Sequence, residues 1–268
     1  NAVENAQNIG AECIQIFGAS PRQWNAKMPT SEVSEKFKSE KEKSKIGPVY
    51  LHASYLVNLA TPNNELLKKS IKNLTDHLTI ASQIGADGLI FHVGSGKDTT
   101  KKVALDKEVK AMKEVLKNVP GNTQLIMENT AGGGKKIGTV EDIAYLHKKV
   151  NSPRVKVCID TAHAFESGMI EEYNTAEVKK FWDIWDKALG IKNITVLHIN
   201  DSKTKSGSCH DRHENIGKGF IGLNGFKALA KEDRLRNKAW ILEVPGFEGK
   251  GPDKKNIDIL KTLFKGRG

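Results

Sequence analysis

The strongest constraint on the fold of this chain is a regular alternation of short apolar runs with longer segments of helical periodicity. Seven runs rich in β-branched residues are typical of buried strands, at residues 12–17, 48–52, 87–92, 123–128, 155–160, 194–199 and 238–243. Helical patterns separate most of them, at residues 65–84, 102–116, 140–150, 171–189, 223–229 and 256–264. A strand and a helix repeating every roughly 30 to 45 residues predict a parallel α/β sheet.

Seven strands in 268 residues favour a closed (β/α)8 TIM barrel over an open doubly wound sheet. Residues 1–10 have the pattern of a helix that follows a strand. We therefore expect that the first barrel strand is missing from this chain. There is no linker and no low-complexity segment, so residues 1–268 are predicted to form a single TIM-barrel domain.

Metal-binding side chains recur at the ends of the predicted strands. Because the carboxyl ends of the strands lie on one face of a barrel, these side chains should converge there. Any one of them alone is more often a core or surface residue, but six strand ends of this kind argue for a metal centre. They are His52, His92, Glu128, Asp160, His198 and Glu243.

Three further candidates lie in the loops just beyond the strands. His163 follows Asp160 by three residues, and Asp211 and His213 are two residues apart in a polar loop. In an extended segment such a pair points to the same side, where it can bind one ion, although the pattern alone is weak evidence.

The nine candidates, five histidines and four carboxylates, carry −4 against +6 for three divalent ions. The resulting charge of +2 suits a phosphodiester substrate. The histidine content favours zinc, or alternatively manganese or iron at some positions, over magnesium.

The composition limits the class of partner and the compartment. The formal net charge is +10, from 42 basic and 32 acidic residues, and this favours an anionic partner such as nucleic acid. Much of the lysine lies in mixed runs such as residues 35–45, which are usually a solvated helix face. No apolar run is long enough to span a membrane. The three cysteines have no paired spacing, so we expect no disulfides and a reducing, intracellular location.

Several motifs together resemble those of the endonuclease IV family, the trinuclear-zinc apurinic/apyrimidinic (AP) endonucleases built on a TIM barrel. CIDTAHAFESG (158–168) and DRHENIGKGFIG (211–222) are the most specific. The others are HASYLVNLA (52–60), FHVGSG (91–96), MENTAGGG (127–134), HINDSK (198–203) and ILE (241–243).

The resemblance implies a ligand set for three zinc ions. His52 and His92 would hold the first, and Glu128 would bridge it to the second. The remaining ligands are Asp160, His198 and Glu243 for the second ion, and His163, Asp211 and His213 for the third.

The implied reaction is hydrolysis of the phosphodiester 5′ to an abasic site, with a hydroxide held between the bridged ions as nucleophile. Glu128 and Glu243 are the catalytic carboxylates of this assignment. The products would be a 3′-hydroxyl and a 5′-deoxyribose phosphate, and blocked 3′ ends could also be cleaned.

The resemblance also implies contacts with double-stranded DNA that contains abasic sites. Arg22 matches a position that reaches into the base stack. Tyr55 and Leu56 match an apolar wedge that holds the kinked duplex open, which is favourable where a base has already lost its stacking. Cleavage of a phosphate needs no oligomer, so a monomer is expected.

Two other function classes remain open on the sequence. A divalent-metal sugar isomerase or epimerase on a related barrel would need only Glu128, Asp160, His198 and Glu243. It would have no use for His52, His92 or the set around His163. A protein that binds damaged DNA without cutting it is the third class, because the expected loss of the first strand could impair the site.

Overall fold

The computed structural model describes residues 2–97 and 99–265. Its strands are β1 (Ile14–Phe17), β2 (Val49–His52), β3 (Gly88–His92), β4 (Gln124–Glu128), β5 (Val155–Asp160), β6 (Ile194–His198), β7 (Asp201–Ser202), β8 (His213–Glu214) and β9 (Ala239–Ile241). Its α-helices are α1 (Ala2–Ile9), α2 (Ser31–Ser44), α3 (Asn64–Gln83), α4 (Lys101–Asn118), α5 (Val140–Val150), α6 (Thr161–Glu166), α7 (Thr175–Leu189), α8 (Gly222–Ala230) and α9 (Lys254–Phe264).

The main sheet is a nearly closed parallel barrel of seven strands in the order β1-β2-β3-β4-β5-β6-β9. Each strand pairs in parallel with the next. The register places His92 beside Glu128 and Asp160 beside His198. The α/β TIM-barrel fold predicted from the alternation is therefore confirmed.

Side chains of alternate strand residues fill the inside of the barrel. Tyr50, Ile90, Ile126, Cys158 and Val196 form one apolar cluster with neighbours from β9. Each of these residues precedes a predicted metal ligand by two positions. Because the side-chain period of a strand is two, the ligand lies on the same inner face, one layer nearer the carboxyl ends. The larger core cluster packs the outer face of the sheet against the helices.

The helices begin where the sequence supplies side-chain caps. Asn63, Thr100 and Asn174 accept hydrogen bonds from backbone N–H groups in the first turns of α3, α4 and α7. Thr139 and Asp142 form a reciprocal capping box at the start of α5. These caps fix the residue at which each helix begins after the loop that precedes it.

The predicted elements all exist, with shorter strands in most cases, and the structure adds several that were not predicted. Helix α6 carries His163, which was expected in a loop. Helix α2 confirms that the charged stretch at residues 35–45, interpreted as a solvated helix face, is largely helical. The strands β7 and β8 form a small antiparallel pair in the polar loop after β6.

An open groove separates the two edge strands of the barrel, β1 and β9. Its volume is about 750 Å³, and it is lined by residues of α1, β1, β9 and α9. Within residues 2–97 and 99–265 no further strand pairs with these edges. The strand expected before residue 1 would lie outside this sequence, and it stays a prediction, as does the assignment of residues 1–268 to one domain.

Two other expectations concern the described residues directly. All three cysteines are free thiols in this structure. In the part of the chain that the structure describes, no helix combines the length and apolarity needed to cross a membrane.

Candidate metal centre

All nine predicted ligands lie at the carboxyl-end mouth of the barrel, and eight of them form three adjoining groups. In each group the nitrogen and oxygen atoms lie within 4.8 Å of one another. The groups are His52, His92 and Glu128; Glu128, Asp160, His198 and Glu243; and Asp160, His163 and His213. Glu128 and Asp160 each belong to two groups, so the three form one continuous centre.

Glu128 connects the first group to the second. Its Oε2 lies 3.2 Å from Nε2 of His52 and 3.3 Å from Nε2 of His92. Its other oxygen, Oε1, lies 3.0 Å from Nδ1 of His198. The side chain is completely buried, and each oxygen faces a different group, which is the arrangement of a bridging carboxylate.

The second group gathers carboxylates around one nitrogen of His198. Besides Glu128, Oε2 of Glu243 lies 3.2 Å from Nδ1 of His198, and Oδ2 of Asp160 lies 3.9 Å from it. Three carboxylates around one ring nitrogen need a cation among them, either a proton or a metal ion.

The third group differs in one member from the set that the resemblance implied. Asp160 joins His163 and His213 in place of Asp211. Asp211 is nevertheless close, with its oxygens 3.2 Å from Nε2 of His163 and 3.5 Å from Nε2 of His213. It is half-exposed and approaches from the loop side.

The donor atoms of the third group fit a metal ion better than a hydrogen-bond network. The buried Nε2 atoms of His163 and His213 have no partner in hydrogen-bonding geometry, although carboxylate oxygens face both. Buried polar atoms are normally paired. Imidazole nitrogens and carboxylate oxygens that converge in this way match the chemistry of zinc.

The electrostatics agree with a centre built for cations. Burial alone would raise the pKa of Glu128, but His198 and His92 hold it well below the ordinary value. Burial alone would lower the pKa of His163, but Asp160, Asp211 and Glu128 raise it well above the ordinary value. In the absence of metal, these shifts favour the ionised form of Glu128 and the protonated form of His163.

Two buried asparagines, which the sequence reasoning did not identify, hold the ligands in place. Asn129 accepts a hydrogen bond from the backbone N–H of Asp160 at 2.7 Å and donates one to its carbonyl oxygen at 3.1 Å. Asn200 donates to Oδ2 of Asp160 at 2.6 Å, and its Oδ1 accepts from the backbone N–H of Glu243 at 2.8 Å. Each asparagine follows a candidate ligand at a strand end by one or two positions. This proximity in the sequence was the only pattern that could have identified them in advance.

A third buried group, Asp201, shapes the loop that follows β8. Its carboxylate accepts hydrogen bonds from the backbone N–H groups of Gly217, Gly219, Ile221 and Gly222. A Cβ atom at Gly219 would lie 2.2 Å from the carbonyl oxygen of Ser202, so this close approach requires glycine.

The three predicted DNA-contact residues lie together at the rim of the mouth. The loop that carries Arg22 is docked on the loop after β2, because the carbonyl oxygen of Pro21 accepts from the backbone N–H of Tyr55 at 3.0 Å. Arg22, Tyr55 and Leu56 are all exposed. The ring of Tyr55 also stacks on that of His92, with centroids 6.1 Å apart, so the rim adjoins the first group directly.

Comparison with known proteins agrees with this geometry. The model of a family described as "Xylose isomerase-like TIM barrel" matches residues 3–263. A probable endonuclease 4 of Sulfurihydrogenibium sp. (strain YO3AOP1) is 38% identical over 98% of this chain and 94% of its own length. The corresponding protein of Aquifex aeolicus (strain VF5) is 35% identical, over 98% of this chain and 92% of its own length.

Among solved structures, endonuclease IV from Thermus thermophilus matches with a TM-score of 0.85 and 33% identity, covering 98% of this chain and 93% of that one. A D-tagatose 3-epimerase-like protein matches with a TM-score of 0.74 and 18% identity, covering 98% of this chain and 91% of that one, which shows a shared fold alone. The long relatives at more than 30% identity decide the assignment, and the chain belongs to the endonuclease IV family of xylose isomerase-like TIM barrels.

Proposed function

We propose that this protein is a zinc-dependent AP endonuclease of DNA repair that hydrolyses the phosphodiester 5′ to an abasic site. Family membership and the convergence of nine ligand side chains support this proposal. The single observation that carries it is the sharing of Glu128 and Asp160 among three adjoining ligand groups. A centre for one or two isolated ions would not need both His52 and His92 in the first group and His163 and His213 in the third.

The proposed ligands follow the geometry of each group. His52, His92 and Glu128 would hold one ion, and Glu128, Asp160, His198 and Glu243 a second. His163 and His213 would hold the third with Asp211 or Asp160, whose oxygens face them. When bound, the ions supply a nucleophile at neutral pH and stabilise negative charge on the oxygens of the phosphodiester, and manganese could replace zinc at one position.

Hydrogen bonds within the chain orient the candidate ligands toward the site. The Nδ1–H groups of His52 and His163 donate to the carbonyl oxygens of Ala53 at 2.8 Å and Asn129 at 3.0 Å. These bonds leave Nε2 of each ring free to face the site. Glu128 and Glu243, ionised at neutral pH because nearby histidines lower their pKa, supply the negative charge that retains cations.

The rim residues would recognise the damaged site. Tyr55 and Leu56 present an exposed apolar surface beside the centre, and the Arg22 guanidinium lies on the adjoining loop. We infer that they enter the duplex where the base is missing, because unstacking costs least there. The net charge of +10 supports attraction to duplex DNA, and we propose a monomer that works in a reducing, intracellular compartment.

The experiment combines metal analysis with an incision assay. Purified protein should contain about three zinc ions per chain by plasma mass spectrometry, in line with three ligand groups. It should cut a 5′-labelled duplex that carries a tetrahydrofuran abasic analogue, leaving a 3′ end that a DNA polymerase extends. Chelation should abolish the cut and added zinc restore it, while an undamaged duplex stays intact.

Other outcomes would point elsewhere. Reductive trapping of a covalent adduct on a natural abasic site would contradict hydrolysis, because it reports a Schiff base. Binding of the abasic duplex without metal-dependent cutting would indicate a damage-binding protein. Turnover of a ketose, together with no cleavage of abasic DNA, would favour the sugar isomerase. That alternative is supported only by the shared fold.

A further inference from the structure

We propose that Gln15 is a positioning residue that holds both His198 and Glu243 in the orientation required of metal ligands. The inference rests on the proposed metal centre and adds to it a residue from β1, a barrel strand that carries none of the nine ligands. It concerns the second ligand group, where the nucleophile would be generated.

Gln15 contacts two ligands at once. Its Nε2 lies 2.6 Å from Oε1 of Glu243, and its Oε1 lies 2.7 Å from Nε2 of His198. Both distances are short for hydrogen bonds of neutral amides. Gln15 therefore ties the edge strand β1 to ligands supplied by β6 and by the segment after β9.

The chemistry of the partners fixes the orientation of the Gln15 amide. An ionised carboxylate only accepts hydrogen bonds, so the amide nitrogen must face Glu243. The amide oxygen then faces His198 and also only accepts, so Nε2 of His198 must carry a hydrogen. The opposite nitrogen, Nδ1, is left to face the carboxylates of the second group.

The same contact selects one oxygen of Glu243. Gln15 occupies Oε1, and Oε2 turns toward the centre, 3.2 Å from Nδ1 of His198. The amide nitrogen of Asn200 lies 3.4 Å from this second oxygen. Without Gln15 the carboxylate would lose the donor that distinguishes its two oxygens.

Comparison with the other buried ligand histidines sharpens the inference. His52 and His163 donate their second ring N–H to backbone carbonyl oxygens, which no substitution removes. The ring of His198 depends instead on a side chain, Gln15. Hydrogen bonds of this kind set the tautomer and direction of a metal-binding imidazole, and removing them typically lowers metal affinity or activity roughly 10- to 100-fold.

The test uses Gln15→Met, which keeps the length of the side chain and removes both hydrogen bonds. The matched control is Gln124→Met, on β4 at the opposite end of the barrel, where the amide oxygen accepts a hydrogen bond from the Thr195 hydroxyl at 3.3 Å. Zinc retention is measured by competition with a chromophoric chelator, and kcat and KM are measured on the abasic duplex. We expect one zinc ion to bind about 10- to 100-fold more weakly in Gln15→Met, with kcat reduced and KM for DNA unchanged. The control should match the wild type.

A measurement on the unaltered protein keeps the inference falsifiable if Gln15→Met does not fold. In zinc-loaded protein labelled with 15N-histidine, long-range 1H–15N spectra should show His198 protonated at Nε2 and metal-bound at Nδ1.

The failures of the two proposals can be told apart. If the wild-type protein binds no zinc and cuts no abasic DNA, the proposed function itself is wrong. If the wild type is active but His198 binds metal through Nε2, or if Gln15→Met retains zinc and cuts like the wild type, the role assigned to Gln15 is wrong and the metal centre stands.

Discussion

Glu128 is the side chain on which two ligand groups depend. Replacing Glu128 with Gln keeps the size of the side chain but removes its charge. It also replaces one carboxylate oxygen with an amide nitrogen, either the oxygen that faces His52 and His92 or the one that faces His198. We expect kcat/KM on an abasic duplex to fall by more than about 100-fold, because the loss of a bridging ligand exceeds the usual effect of an outer hydrogen bond. Zinc content should fall in parallel.

The control for this substitution is Glu114→Gln, an exposed residue of α4. It removes the same charge far from the mouth and should leave incision and zinc content unchanged. Full zinc content with full activity in the Glu128 variant would contradict its assignment as a bridging ligand.

Substitution of Tyr55 should affect the binding of DNA without affecting the metal centre. Tyr55→Ala should weaken binding of an abasic duplex by about 1–3 kcal/mol, roughly 5- to 150-fold, the range typical of aromatic stacking on bases. Fluorescence anisotropy measures this Kd, and plasma mass spectrometry should still find the wild-type zinc content. Tyr55→Phe keeps the ring and should bind nearly as well as the wild type. Equal Kd values for the alanine variant and the wild type would refute the wedge.

Single residues also show what the sequence could and could not predict. All nine candidate ligands could be proposed from the sequence, because each is a metal-binding residue type at a strand end or just beyond one. Gln15 lies on the same inner face by the period of two, yet an amide is not a ligand type, and only its distances to His198 and Glu243 reveal its role. His163 was assigned to a loop, although Asp160 caps the helix that carries it.

At the scale of elements, the loop between β7 and β8 is held by a buried carboxylate at the end of α6. Oε1 of Glu166 accepts hydrogen bonds from the Ser202 hydroxyl at 2.7 Å and from the backbone N–H of Arg212 at 3.1 Å. Arg212 stands between Asp211 and His213 in the chain, so Glu166 anchors the segment that delivers both to the third ligand group.

Glu166→Ala should therefore damage this loop. The Ser202 hydroxyl would keep the carbonyl oxygen of Thr204 as an acceptor, but the backbone N–H of Arg212 would lose its charged acceptor. The free energy of unfolding in urea should therefore fall by about 1–3 kcal/mol. One zinc ion per chain should be lost more readily on dialysis. Glu166→Gln keeps an acceptor oxygen and should retain most of the stability and the zinc. Loss of zinc in the glutamine variant but not in the alanine variant would contradict this anchoring role.

The elements that were not predicted have little sequence signal for physical reasons. Helix α2 was indicated only by its mixed charges, and its bounds were not predicted. It buries only Ser34, so no apolar periodicity marks it, and its cap at Thr30 is the main local cue to its start. Strands β7 and β8 contain two residues each and are too short to form a recognisable alternation. Both depend on contacts with the rest of the barrel.

At the scale of the whole molecule, the barrel converts residues scattered from His52 to Glu243 into one centre with closely spaced like charges. Such a centre is stable only when protons or metal ions balance its carboxylates. The strand pattern predicted this convergence, because parallel strands end on one face. The pairing of ligands into groups was not derivable from the strand pattern, since it depends on the register of neighbouring strands and on the path of the loops.

The stability of the whole protein should therefore depend on pH in opposite ways with and without metal. Without metal, the raised pKa of His163 and His198 adds stability that is complete below their ordinary value of 6.5 and is lost as pH rises through the raised values. The lowered pKa of Glu128 adds stability above its ordinary 4.5 that is lost as pH falls through the lowered value.

We expect the melting temperature of chelator-treated protein, measured by scanning calorimetry, to be highest between about pH 4.5 and 6.5 and to decrease at higher pH. Zinc-loaded protein should show the reverse trend across pH 6.5, because protons compete with the metal for histidine. His77 and His147, whose pKa values burial lowers, are present in both samples and cancel in the difference. A melting temperature of the metal-free protein that rises steadily from about pH 5.5 to 8.5 would show that these histidines do not balance the carboxylates.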